Sequence, residues 1–409
     1  MTWKLVGVVA ALGAAGLVGV EIAAQEAATT PTYPQGQTMP WGQTSDQIAW
    51  LTFAQIVAPS GAPNVKAAEF ETWASDQDIY RTNPVWPALG TAKKLQMSAL
   101  GRAGLTHGAP RTRGALLVTP NGCSPPGGMP PQGTAGIGSG YPAGACVGEE
   151  VRRNWASYQY IVRNNLYTQA GMAKAFANAG LTVSLPSDAV EFKGDWVPVA
   201  TLKTWLGLTD AQVAQEYYVN SATAGGVTTS YALVSFHFST KQQGNWVWSD
   251  FEHERNPGRC DTIGCHDSYG AATANVQPNA KPWQQYGACA KTPQVAALLG
   301  AAQLDRVWNH YCLKGSQVTF TQPDGKTPVL LGNSMIEAIA ADVPIAQSSC
   351  QTCHAVASFD KNGQPNFNAL GQSPIGNVDP KLMTGYKSAD FLWGILFAPS
   401  GSSAKARRN

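Results

Sequence analysis

Five consecutive residues near the C-terminal end, Cys350-Gln351-Thr352-Cys353-His354, carry the most specific chemistry in the chain. Two thiols three residues apart lie on one turn of backbone, where each can add to a vinyl group of a haem. The histidine that follows then reaches the iron from the proximal side. A thioredoxin-like redox pair or half a zinc site would use the same two cysteines. Zinc would need two further ligands, and no second C-x-x-C supplies them. The spacing therefore predicts one covalent haem c, with Cys350, Cys353 and His354 binding the cofactor and His354 as the proximal iron ligand.

The other side of the iron has several candidates. Met383, 30 residues after Cys353, would give a thioether ligand and a high potential. Met335 is a second thioether, and His253 or His237 would give two histidine ligands and a lower potential. An unfilled position would favour small-molecule or peroxide chemistry. His237 lies in Val234-Ser235-Phe236-His237-Phe238, and His253 in Asp250-Phe251-Glu252-His253-Glu254. If Thr240 and Trp246 face each other across a hairpin, His237 opposes Ser249 and shares a sheet face with Phe251 and His253. The two histidines would then lie about 13 Å apart and could not hold the same iron. Glu252 is a candidate acid or base, with pairing to Arg255 or Arg259 as its structural alternative.

The remaining six cysteines allow three disulfides, and neighbour pairing is the simplest: Cys123 with Cys146, Cys260 with Cys265, Cys289 with Cys312. Cys260 to His266 also matches a rarer C-x4-C-H attachment spacing. A small disulfide loop around Gly264 is favoured there over a second haem at Cys260, Cys265 and His266. Disulfides require an oxidising compartment, and the N-terminus agrees. Lys4 precedes an uncharged run from Leu5 to Val20 and a small-residue exit near Ala24, the three parts of a secretory signal. That run is shorter than the roughly 20 residues a bilayer requires. No later segment is long and apolar enough, so no transmembrane span is expected in the mature chain, which should be periplasmic or secreted.

These motifs need a body to hold them. The chain has 409 residues, 44% hydrophobic, enough for a sizeable core. Gly 42 and Pro 27 together make about one residue in six, so loops are plentiful. Lys+Arg 28 against Asp+Glu 26 leaves no basic excess for phosphates, which argues against a nucleic-acid partner. The periodicity predicts helices from Ser45, over Val65–Tyr80 and over Glu149–Asn178, and strands at Ala189–Lys193, Tyr231–Ser239 and Trp246–Phe251. A second hairpin is expected around Pro323-Asp324-Gly325-Lys326, and Met335–Ala346 should run as helix into the haem motif. Asn121–Ala145 reads as a long surface loop tied by Cys123 and Cys146. The fold class is α+β: an antiparallel sheet with packed helices, long loops and a haem-binding helical segment at the C-terminus. Its divisions are 1–24 as signal, 25–330 as main body, and 331–409 as haem-binding segment packed on that body.

Several stretches together resemble exported bacterial proteins of the cytochrome c family. They are Phe70-Glu71-Thr72-Trp73-Ala74-Ser75-Asp76, Asn245-Trp246-Val247-Trp248 with Phe251-Glu252-His253, Asn256-Pro257-Gly258-Arg259-Cys260-Asp261, and the C-x-x-C-H itself. The resemblance implies a periplasmic protein with one covalent haem, and no general activity. The chain departs from small class I cytochromes: the 55 residues after His354 are too few for their usual domain. Two functions are therefore expected. One is electron transfer with a redox partner protein or a small-molecule electron donor or acceptor, with Lys361, Lys381 and Lys387 as possible docking cations. The other is a haem c-dependent oxidoreductase with a substrate pocket built upstream from His253, Glu252, His237 and Arg255. A passive haem on a β-rich binding protein is a third, bare alternative.

Overall fold

The computed structural model describes residues 43–61, 67–87, 99–101, 117–119, 148–224, 227–272, 275–276, 284–335, 337, 345–372 and 374–400. The signal, the loop 121–145 with its cysteine pair and most of 335–346 lie outside these residues. In chain order the strands are β1 (Ala74–Ser75), β2 (Ala99–Gly101), β3 (Leu117–Thr119), β4 (Gly148–Arg153), β5 (Val190–Pro198), β6 (Val219–Ala224) and β7 (Val227–Thr240). Then come β8 (Val247–His253), β9 (Cys265–His266), β10 (Asn275–Val276), β11 (Tyr311–Gln317), β12 (Ser358–Phe359) and β13 (Lys387–Ser388). Strands β1-β4-β5-β7-β8-β11 hydrogen-bond in that order, all antiparallel, and β6 joins the N-terminal half of β7 to complete a seven-stranded sheet. Helices pack around it, so the molecule is α+β with an antiparallel sheet.

Alternation in the strands sorts the sheet into two unlike faces. Phe192 on β5, Phe236 and Phe238 on β7 and Phe251 on β8 point one way. The helix Ser45–Ile56 lays Trp50 and Phe53 on them, with ring centroids 5.1 and 4.8 Å from Phe251. Each such ring, fully buried, contributes about 1.5–3 kcal/mol, so this face is the molecule's apolar ballast. The opposite face is polar: Glu149 and Arg153 on β4, Glu191, Lys193 and Asp195 on β5, Ser235, His237 and Ser239 on β7, Trp248, Asp250 and Glu252 on β8. Most of these groups are buried too.

A second cluster covers the polar face. The helices Trp155–Arg163 and Gln169–Ala177 pack with the C-terminal segment through Ile161, Leu166, Met172, Val356, Phe359, Leu392 and Trp393. That segment bonds directly to the face: Asn333 Nδ2 donates to Asp250 Oδ1 at 2.6 Å and Ser334 N to Glu252 Oε1 at 2.9 Å.

Two expectations are corrected. Residues 148–153 are strand, and helix starts only at Trp155, where the Asn154 side chain caps the Ser157 N–H; Thr168 caps a separate second helix. The Val65–Tyr80 helix is instead a 3₁₀ turn (Glu69–Thr72), strand β1 and a one-turn helix (Asp76–Ile79), capped by Ser75. Short polar side chains that accept from the backbone fix where each helix starts, so the apolar period is divided into separate pieces. The second hairpin forms as expected around Gly325, with Thr321 bridged to Pro328.

Candidate functional site

The β7–β8 hairpin decides what reaches the site. Its ladder closes on Thr240 opposite Val247, not Trp246, because Trp246 takes a left-handed turn conformation (φ 61°) just before β8. That single step moves every side chain of β8 to the other face. His237 therefore opposes Asp250 and shares a face with Trp248 and Glu252, while His253 goes to the apolar side. The expectation that His237 and His253 share a face is overturned.

His253 is fully occupied where it lies. Its Nε2 donates to Glu216 O at 3.0 Å, its Nδ1 accepts from Arg255 N, and its ring stacks on Tyr217 at 3.7 Å. Burial pushes its protonation well below the usual histidine range. Met383, in the short turn Pro380–Met383, is half-buried against the C-terminal cluster, and Met335 is buried beside Val197, Trp205 and Val234. Neither methionine nor His253 lines the cleft described next. Glu252 pairs with Lys314 at 3.2 Å rather than with Arg255 or Arg259; Arg255 is taken by Glu216. Both Cys260–Cys265 and Cys289–Cys312 are disulfides, so the C-x4-C-H sulfurs are joined to each other. Lys387 gives its ammonium to the carbonyls of Ala175, Asn178 and Leu181, which leaves Lys361 and Lys381 as the exposed members of the lysine set.

What the fold does gather is an open cleft between the polar sheet face and the C-terminal segment. Its walls include His237, Trp248, Cys353, His354, Arg153 and Lys193. The C-x-x-C-H forms the helix Cys350–Ala355, which starts there because Ser349 Oγ accepts from Thr352 N. Neither cysteine is disulfide-bonded. His354 Nδ1 donates to Phe391 O at 2.9 Å, no described residue bonds Nε2, and burial holds its protonation down to about 3. The rings of His354 and His237 are 6.0 Å apart between centroids, with Trp248 beside both at 4.6 and 6.4 Å.

His237 is 6% exposed, its Nδ1 is buried with no hydrogen-bond partner, and burial keeps it neutral. Asp250 Oδ2 is likewise unpartnered. Ligand atoms of His237, Asp250 and Cys350 lie within 4.8 Å of one another. Unpaired buried polar atoms are costly, about 1–3 kcal/mol each, so several at one spot call for a binding partner.

Paired charges also line the cleft. Arg153 bonds Asp76 and, at 3.0 Å, Glu191; Lys193 pairs with Glu149 at 2.7 Å. Burial raises the Asp76 and Glu191 carboxyls, with Arg153 opposing the rise. Gly394 is what admits this arginine: a Cβ there would stand 2.3 Å from Arg153 Nη2 and 2.5 Å from the Tyr80 hydroxyl.

The donor set suits a haem. Two thiols not joined to each other precede a histidine whose Nδ1 is tied to a carbonyl, leaving Nε2 for iron. Arg153 and Lys193 are cations at the wall, although three carboxylates already share them. Of the residues at this cleft, the sequence singled out Cys353, His354 and His237, with Cys350 one helical turn before Cys353. It missed Asp250, Trp248, Arg153 and Lys193, which only the register across four strands brings together. No protein-family model, curated protein or solved structure matches the chain.

Proposed function

We propose that the protein is an exported c-type cytochrome that carries one haem in this cleft and passes electrons to a redox partner protein or a small donor or acceptor. Cys350 and Cys353 would hold the haem through thioethers and His354 would bind its iron; bound there, the haem supplies one-electron chemistry. The observation that carries the reading is His354: on the wall of a cleft beside Cys353, which is in no disulfide, with Nδ1 donated to Phe391 O and Nε2 bonded by no described residue. His237 is the one distal candidate that lines the same cleft, and it would be the second ligand to the iron. The N-terminal Met1–Gln25 pattern supports a periplasmic or secreted location. The left-handed turn at Trp246 sets the register that aims His237, and Trp248 packs beside both histidine rings.

The visible spectrum separates this reading from the haem-dependent oxidoreductase. Electron transfer predicts low-spin bands in both redox states, unmoved by cyanide or carbon monoxide, and a His237→Ala variant that turns high-spin and binds carbon monoxide. A high-spin ferric wild type would favour the enzyme instead.

A second reading has its own observation. The unpartnered Nδ1 of His237 and Oδ2 of Asp250 beside the Cys350 thiol form a donor set for a soft divalent cation such as zinc. Elemental analysis of the purified chain discriminates: stoichiometric iron with bound porphyrin supports haem, stoichiometric zinc without colour supports this alternative.

A further inference from the structure

The hydrogen bond that orients His354 is itself held by an unusual piece of backbone. Asp390 and Phe391 are consecutive non-glycine residues with positive φ, 52° and 72°. Such residues persist only where their surroundings over-determine them, and they collect at functional sites. Here the surroundings are specific. Asp390 Oδ1 takes the Lys241 ammonium at 2.5 Å and Oδ2 takes Leu185 N at 2.6 Å, while the Trp246 indole N–H reaches Oδ1 at 3.4 Å. Lys241 in turn donates to Gly244 O in the β7–β8 turn. Both ends of the pair are buried, with 9% and 7% of the side chains exposed. On the far side, Ala389 N bonds Ala357 O at 2.8 Å, and Trp393 Nε1 bonds Cys353 O at 2.9 Å. Between these anchors the Phe391 carbonyl accepts from His354 Nδ1 at 2.9 Å.

We propose that the Lys241–Asp390 ion pair is a positioning device that fixes the Phe391 carbonyl on His354 Nδ1 and so sets how strongly that imidazole donates to the iron. The inference rests on the haem reading above. A carbonyl that accepts the Nδ1 proton makes the ring a stronger donor, favouring ferric iron and lowering the potential. Breaking the clamp relaxes the left-handed pair, weakens that bond and raises the potential.

Two substitutions of opposite charge make the test. Asp390→Asn removes a negative charge and Lys241→Met a positive one. Acting through space alone, the first would raise the midpoint potential of the haem and the second would lower it. Acting through the clamp, both raise it, and Lys241→Arg, which keeps charge and donors, holds the wild-type value. Opposite shifts, or none, overturn the clamp. Should a variant fail to accumulate, the wild-type holoprotein carries a second measurement: the paramagnetically shifted Nδ1–H resonance of His354 persists in D2O, whereas exchange as fast as an exposed imidazole overturns the proposal. Wild-type chain lacking covalent haem removes the underlying reading, and the clamp with it. Covalent haem with opposite shifts removes the clamp alone.

Discussion

At the residue scale, the site is a set of groups kept neutral or paired at a cost in solvation. Burial lowers His237 and His354 and raises Asp250, Asp195 and the Cys350 thiol. Each shift disfavours the charged form of its group, because burial strips that form of water. The two sulfurs are separable by mutation. Cys350→Ser or Cys353→Ser alone should leave haem held by one thioether through acid–acetone extraction. The double variant should lose it all, as read by pyridine haemochrome. A different residue governs pH stability. Glu71, bonded to Tyr218, Asn220 and Ala68 N, has its carboxyl raised by burial from 4.5 to about 7. A raised folded-state value means that its contribution is complete below the unfolded pKa and is lost as pH climbs towards 7, on the order of 3 kcal/mol. Urea midpoints should therefore fall between pH 5 and 8 in the wild type and fall less in Glu71→Gln; equal slopes would contradict this.

At the scale of elements, the sequence carried the alternation but not its phase. Phenylalanine alternating with polar residues over 235–239 and apolar positions over 189–193 were enough to place β5, β7 and β8. One residue of hairpin register was not legible, because it depends on the left-handed Trp246, a conformation no propensity assigns to tryptophan. That residue decided which histidine enters the cleft. The C-x-x-C-H needed no register, since its chemistry is local, and the pairs Cys260–Cys265 and Cys289–Cys312 followed from proximity along the chain. Asp250, Trp248 and Arg153 were invisible because their meeting depends on cross-strand neighbours far apart in sequence. Two stability predictions belong here. Phe251→Ala, in the centre of the aromatic face and fully buried, should cost about 3–5 kcal/mol in denaturant titration. Replacing Cys289 and Cys312, which close a loop over 23 residues, with alanine should cost about 2–4 kcal/mol by the same measurement.

At the scale of the whole molecule, one sheet does two jobs with its two sides. The aromatic side, under the helix Ser45–Ile56, supplies the apolar burial; the polar side, under the C-terminal segment, holds charges and histidines that would be a liability in a core serving stability alone. The C-x-x-C-H sits in that covering segment, so the motif and the sheet face it packs on come from distant parts of the chain. The claim on which everything else depends is the covalent haem. Mass spectrometry of the exported protein, made in a host that matures c-type haem, and of its peptide containing Cys350 to His354, tests it directly. The account predicts one haem added per chain, located on that peptide; a peptide at its unmodified mass, or with Cys350 and Cys353 joined to each other, would contradict it.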